Sequence, residues 1–278
     1  MEPDQLKALV AGVFSRSATT YERTGVSFFE PIGARLVTFA DLRAGERVLD
    51  VGCGRGAVLF PAAAAVGTSG RVLGIDLAAD MIGLTGRDIA DRGLVQAEVQ
   101  VADAETPPGL PGSLDAVLAS LVLFFLPGLP NALRRYAELL APGGRLAFSS
   151  FGRDDERWAP VNELLDSYLP ADRRPPKRDP DVVGPFDSPA VMEELLSASG
   201  FGAVRHQDVE LFTEIADADQ WWAWSWSHGR RAVLEGIDEA ALPDARARAV
   251  ELMEPLREPG GGYAVRQAIR YTLATTPN

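Results

Sequence analysis

Asp50, Gly52, Gly54 and Gly56 stand in the run Val48-Leu-Asp-Val-Gly-Cys-Gly-Arg-Gly56, at the end of a short β-branched stretch. Glycines at such a turn accept positive φ and let a ligand come close to the backbone. Ala57 to Ala65 reads as the helix that follows, and the N-terminus of a helix offers unpaired N–H groups. Asp50 is expected to add a fixed negative charge at the strand end, one that suits an ammonium or sulfonium ligand and repels a diphosphate. Gly52, Gly54 and Ala57 also satisfy the looser dinucleotide fingerprint. On the glycines alone, a bound nucleotide-type ligand and a turn of small packing residues both stay open.

The elements around this loop supply more polar tips. Arg71 to Ile75 reads as a strand ending in Asp76, Ala97 to Val101 as one ending in Asp103, and Leu114 to Leu118 as one running into Ser120. A fifth strand, Arg145 to Phe151, follows the turn Ala141-Pro-Gly-Gly144, whose residues set the backbone angles of a reversal. Leu129 to Leu140 is the amphipathic helix before it. Strands alternating with helices predict βαβ units and a parallel sheet, with ligands at the carboxyl ends of the strands. Residues 4–14 and 29–42 have helical spacing and precede the first strand.

After Phe151 the pattern changes. Residues 152–188 are rich in proline and charge, with a helix expected at Trp158 to Leu169. A helix at 189–199 and a strand at Ala203 to Phe212 follow. Residues 217–257 read as helical, capped by Asp217 or Asp219 and split by Pro243, and Tyr263 to Thr275 as a final strand. The expected organisation is one domain over 1–278: an N-terminal helical cap (1–44), a ligand-binding core (45–151), lid insertions (152–188 and 214–260), and a C-terminal part of the core (189–213 and 261–278). Excursions of that length are commonly functional.

The 278 residues carry a formal net charge of −12, which opposes binding to nucleic acid or to an anionic membrane. Arg173, Arg174, Lys177 and Arg178 form one basic loop broken by prolines. Cys53 is the only cysteine, so no intrachain disulfide forms. Acidic residues near the N-terminus and the lack of a spanning apolar stretch predict a soluble cytoplasmic protein.

Taken in order, Val48 to Gly56, Val72-Leu-Gly-Ile-Asp-Leu77 with Asp80-Met81, Val101-Ala-Asp103, Leu114-Asp-Ala-Val117 and Leu139-Leu-Ala-Pro-Gly-Gly-Arg-Leu146 resemble the class I S-adenosylmethionine-dependent methyltransferases. The likeness is to the small-molecule group akin to the ubiquinone and menaquinone enzymes. It implies an α/β, Rossmann-like seven-stranded mostly parallel sheet whose last strand is antiparallel, with helical lid insertions. It implies S-adenosyl-L-methionine as cofactor and S-adenosyl-L-homocysteine as product. Gly52 and Gly54 would lie under the methionine part, with Asp50 organising the loop near its ammonium. Asp76, followed by Leu77, would accept both ribose hydroxyls, Met81 would pack on the adenine, and Asp103 would accept from the adenine amino group while the Ala104 N–H meets the ring. Ser120 would close the site at the fourth strand, and Tyr21 would donate to the methionine carboxylate.

One departure bears on the chemistry. Many relatives carry histidine after the fourth strand, where this chain has Phe124 and Phe125. Only His206 and His228 remain. His206 reads as exposed. His228 ends the run Trp221-Trp-Ala-Trp-Ser-Trp-Ser-His228, in which Trp221, Trp224 and His228 share a helix face. That face either packs on the core or roofs an acceptor pocket, with His228 as a cap or as a general base. Tyr21 is a second candidate catalytic group, and Phe28, Phe124, Trp221 and Trp224 are candidate substrate contacts. No metal-ligand set is legible after the fourth strand.

The expected activity is methylation of a small, largely apolar natural-product acceptor, O-methylation first, C-methylation of an enol or prenyl π-system second. A catalyst that keeps the cofactor as a scaffold is a third reading. A nicotinamide oxidoreductase fits Asp50, Asp103 and the Pro-Gly-Gly turn poorly. A homo-oligomer built on the N-terminal helices or the aromatic helix stays open.

Overall fold

In the computed structural model, which describes residues 2–175 and 182–278, the chain opens with two helices, α1 (Pro3–Ser17) and α2 (Phe29–Ala40). Lys177 and Arg178 of the basic loop lie outside the described residues. The α/β alternation then runs β1 (Arg47–Val51), α3 (Leu59–Val66), β2 (Arg71–Asp76), α4 (Ala79–Asp91), β3 (Ala97–Val101), β4 (Leu114–Ser120), α5 (Leu129–Leu139) and β5 (Leu140–Phe151). The second half contributes α6 (Ala159–Ser167), α7 (Pro189–Ala198), β6 (Val204–Ile215), α8 (Ala218–Ser225), α9 (Arg231–Leu234), α10 (Leu242–Met253) and β7 (Tyr263–Thr275).

The seven strands form one sheet in the order β3-β2-β1-β4-β5-β7-β6. β1 pairs in parallel with β2 and β4, and β7 runs antiparallel to both β5 and β6. Alternate residues of β1 face opposite sides of the sheet. Val48 packs with Ile32, Leu36, Leu59 and Leu118, whereas Leu49 packs with Leu133, Tyr136 and Leu146. Both faces are covered, which is why these strands read as near-continuous apolar runs.

Several boundaries move. The helix expected from Ala57 starts at Leu59, because Gly54 to Val58 are still in the turn. β5 starts at Leu140, and the Pro-Gly-Gly segment is a bulge within it. The pairing jumps from Leu114↔Leu140 to Ala116↔Arg145, and Gly143 absorbs the kink at φ +70°. β6 extends to Ile215 because β7 offers partners as far as Tyr263. Asp217, not Asp219, caps α8, its carboxylate accepting from the Gln220 N–H at 2.8 Å. Pro243 lies in the first turn of α10, where its missing N–H costs nothing. Among the described residues no helix is long and apolar enough to cross a membrane.

Candidate active site

A cavity of about 490 Å³ opens at the carboxyl ends of β1, β2 and β4. Its floor is the glycine loop, and one wall is α1, through Lys7, Val10, Ala11 and Phe14. The lining continues through α6 and the turn from His228 to Val233, which adjoins α1 where Arg231 donates to the Arg16 carbonyl at 2.9 Å.

The loop is built for close approach. Gly52 sits at φ +66°, and a Cβ there would stand 2.4 Å from Val122 Cγ2. A Cβ on Gly54 would meet nothing within 4 Å. Gly54 is held from two sides. Its N–H donates to Asp76 Oδ2 at 2.9 Å, and its carbonyl accepts from Thr85 Oγ1 at 2.7 Å. Asp76 Oδ1 accepts from the Ala78 N–H at 2.8 Å. Burial pushes the Asp76 carboxyl up, against the hydrogen bonds from Ala78 and Gly54 that favour its charged form. Leu77, Met81 and Ala104 line the cavity beside it. Tyr136 donates its hydroxyl to the Ala104 carbonyl at 2.7 Å and so fixes the turn after β3.

Asp50 does not line the cavity. It is 1% exposed, Oδ2 has no partner among the described residues, and burial and the neighbouring Asp76 push its carboxyl well up. The fixed charge expected at the strand end is therefore corrected to a buried group under the loop, bonded by the Leu59 N–H at the start of α3. Burial disfavours the ionised form more than the strand end promotes it.

Asp103 lines the cavity with its carboxylate already engaged. Lys7 Nζ donates to Oδ2 at 2.8 Å, and the Glu105 N–H to Oδ1 at 2.8 Å. Lys7 also bonds Glu105. Nothing in the amphipathic spacing of residues 4–14 singled out Lys7, since the contact spans 96 residues of sequence. Lys7→Met is expected to free α1 from this edge. The measurement is limited proteolysis without ligand: cleavage within residues 3–17 should speed up several-fold, and an unchanged rate would show that α1 is held by packing alone.

Tyr21 lines the cavity and stacks on Phe29 at 4.6 Å between centroids. Burial pushes its phenol well up, so it stays a neutral donor. Ser120 lines the cavity and shares a 2.9 Å hydroxyl contact with Ser149. Phe124 lines it too, beside Phe125, Phe151 and the strained Leu121 at φ +56°.

Three expected substrate contacts do not line the cavity. Phe28 is core, 4.9 Å from Phe29 and 5.6 Å from Trp224, and Phe29 takes the cavity position instead. Trp221 packs against Trp158 at 6.4 Å, and Trp224 lies behind His228 at 4.7 Å. α8 presents both tryptophans to the main core cluster; only the far end of its aromatic run reaches the cavity. Asn162, Asp166 and Arg230 line the cavity and had no motif to mark them.

His228 does line it, in a form unlike the expected base. Nδ1 accepts from the Arg230 N–H in a long 3.4 Å bond, so the proton of the neutral ring sits on Nε2. Burial first, then the Arg230 charge, lowers its pKa to about 3. Nε2 is buried with no partner among the described residues. The ring is thus an unused donor whose only free lone pair is spent. His206, expected on the surface, is half-buried between Thr272 (2.9 Å) and Glu193 (3.2 Å).

A doubly wound sheet with a glycine loop after β1 and carboxylates at the tips of β2 and β3 defines an α/β enzyme that takes an adenosyl ligand. A family model described as a methyltransferase domain matches residues 48–144. Nocamycin O-methyltransferase of Saccharothrix syringae is 39% identical over 262 residues, 90% of this chain and 91% of that protein. Aklanonic acid methyltransferase DauC of Streptomyces sp. (strain C5) is 49% identical over 151 residues, 54% of this chain and 68% of that one. The solved YcgJ protein of Bacillus subtilis shares the fold at TM-score 0.59 and 18% identity, over 89% of this chain and 99% of that one. The chain belongs to the class I S-adenosylmethionine-dependent methyltransferases.

The residues present fit the cofactor. The open space over Gly54, the acceptor oxygens of Asp76 and Asp103 and the neutral Tyr21 phenol supply one group for each end of an adenosyl amino acid. Bound there, the cofactor supplies an electrophilic methyl group. The chain's own part is to bind, align and exclude water.

Proposed function

We propose that this enzyme O-methylates a small, largely apolar natural-product acceptor whose oxygen is already ionised when it binds. The observation that carries this reading is His228. The one histidine that lines the cavity is held neutral, with its basic nitrogen occupied by the Arg230 N–H. A carboxylate, or an enol or phenol of comparable acidity, needs no proton removed. The walls suit a flat apolar body: Phe29, Phe124, Phe125 and Phe151 line the cavity. The two relatives are named for O-methylation and for an acid, which supports the same choice. The site of action we propose is the cytoplasm.

The test is incubation with methyl-labelled cofactor and a panel of carboxylic, phenolic and prenylated acceptors. Label in an alkali-labile ester or in an ether is expected; alkali-stable label on carbon, or transfer to none of them, would sink the proposal. The rate at saturating acceptor should also stay flat between about pH 6 and 8, since no imidazole base titrates there.

His228 makes a separate prediction for stability. Its ordinary pKa is 6.5 and its folded value about 3, so between those values the unfolded chain binds the extra proton. Its contribution is present above pH 6.5 and is lost as pH falls toward 3. The fall in the urea midpoint between about pH 7.5 and 5 should be smaller in His228→Gln than in the wild type. Equal falls would mean that the ring charges freely in the folded protein.

A further inference from the structure

The acid of the proposed acceptor needs a partner, and the cavity wall formed by α6 and the turn after His228 holds one. Arg230 lines the cavity, and among the described residues its guanidinium makes no hydrogen bond and closes no ion pair. The contrast with the next residue is sharp. Arg231 bonds Glu235 at 2.8 Å and the carbonyls of Arg16 and Trp226 at 2.9 and 3.0 Å. Arg230 is half-buried, and its guanidinium, with no partner among the described residues to give up, stays open to an anion that enters the cavity. Burial is the largest influence on Arg230 and pulls its pKa down. Asp166 and Asp154 act on it through space, and burial pushes Asp166 up in turn, so neither carboxylate has neutralised it at contact.

Two more donors stand on the same wall. The Nε2–H of His228 is buried and unpartnered, and Asn162 on α6 lines the cavity with no hydrogen bond to any described residue. We propose that Arg230, His228 and Asn162 form the seat of the acceptor's anionic group, and that the acceptor is an organic acid with a flat aromatic body. The inference rests on the O-methyltransferase reading above and adds to it the residues that select the acid. A planar guanidinium beside an imidazole N–H matches the oxygens of a carboxylate.

The cofactor carries a carboxylate of its own, and the same donors would accept it. The surroundings favour the acceptor. The charges that act on Arg230 belong to Asp154, just after β5, and to Asp166 on α6, whereas the adenosyl carboxylates stand at the tips of β2 and β3. His228 lies 6.1 Å from Phe29, on the aromatic side of the cavity.

Calorimetry with S-adenosylhomocysteine present decides the matter, using 2-naphthoate and anthraquinone-2-carboxylate beside their carboxamides. The wild type should bind at least one acid about tenfold or more tightly than its amide, the size of a charge-assisted bond. Arg230→Met should cost that acid about 10- to 100-fold while leaving amide and S-adenosylhomocysteine affinities within about threefold. Arg230→Lys should recover part of the loss, and His228→Phe should give a smaller one. Melting temperatures near the wild type exclude a folding defect, and recovery by lysine provides the same control if methionine unfolds the lid. Acid and amide binding alike, or neither binding, overturns the seat. So does an Arg230→Met variant that loses S-adenosylhomocysteine as much as acid, because the guanidinium then serves the methionine carboxylate. Label transferred to carbon with the acid preference intact would instead refute O-methylation and leave the seat standing.

Discussion

Asp76→Ala should bind S-adenosylhomocysteine roughly 100-fold more weakly than the wild type, or not measurably, in a calorimetric titration. The carboxylate stands at the tip of β2 beside the open glycine loop, with Oδ2 and Oδ1 already receiving the Gly54 and Ala78 N–H groups. Each oxygen keeps lone pairs for a diol. Losing two charge-assisted bonds of about 1.5–3 kcal/mol each removes roughly 3 kcal/mol or more, which is about two orders of magnitude in affinity. The alanine also releases Gly54, so Asp76→Asn is the control: it keeps one acceptor oxygen and should fall between alanine and the wild type. Affinity within about threefold of the wild type in Asp76→Ala would place the adenosyl group elsewhere.

Gly52→Ala should be among the most damaging single methyl groups this chain can receive. Two costs coincide at that position. The backbone is at φ +66°, and the new Cβ would stand 2.4 Å from Val122 Cγ2 and 2.9 Å from Cγ1. A left-handed backbone costs an alanine about 1–2 kcal/mol, and an extra methyl in a packed site about 1–3 kcal/mol. A loss of roughly 2–5 kcal/mol corresponds to a fall of about 4–20 °C in melting temperature for a chain of this length. Gly54→Ala separates the terms, since its Cβ would meet open space and only the φ of +48° counts against it. It should lose roughly half as much stability while still obstructing the ligand. Adding Val122→Ala to Gly52→Ala should recover the steric part and not the backbone part. Equal melting temperatures for the wild type and Gly52→Ala would show that the loop relaxes freely.

The two variants act on different links of one chain of causes. Gly52 and Gly54 let the backbone turn tightly and stay bare. Thr85 and Asp76 hold that turn, and the turn leaves the strand-end carboxylates facing a common space. Catalysis by alignment asks for that rigidity more than for a reactive side chain. The neutral His228 and the neutral Tyr21 phenol agree with it.

Much of the adenosyl half was legible because its signals are local. A β-branched run ending in Asp, followed by glycine, specifies a strand, its face and its tip within a few residues, and Ala97 to Val101 and Tyr263 to Thr275 have the boundaries read from sequence. The aromatic helix was not legible in the same way. Trp221, Trp222 and Trp224 on α8, with Trp226 just past its end, leave the segment apolar over most of its circumference, so periodicity could not say which side meets the cavity. Phe28 and Phe29 pose the same difficulty, one core and one cavity, decided by how α2 docks.

By itself the sequence determined the parallel sheet, the bare loop after β1 and the acidic tips of β2 and β3, because each depends on residues adjacent in the chain. Only the tertiary structure decided that Asp50 is a buried group beneath the loop, that Lys7 reaches Asp103, that His228 is a donor, and that Arg230 stands in the cavity wall with no partner for its guanidinium among the described residues. Those outcomes turn on burial and on partners far away in the chain. The charge and tautomer of a side chain follow its surroundings, which residue order does not specify.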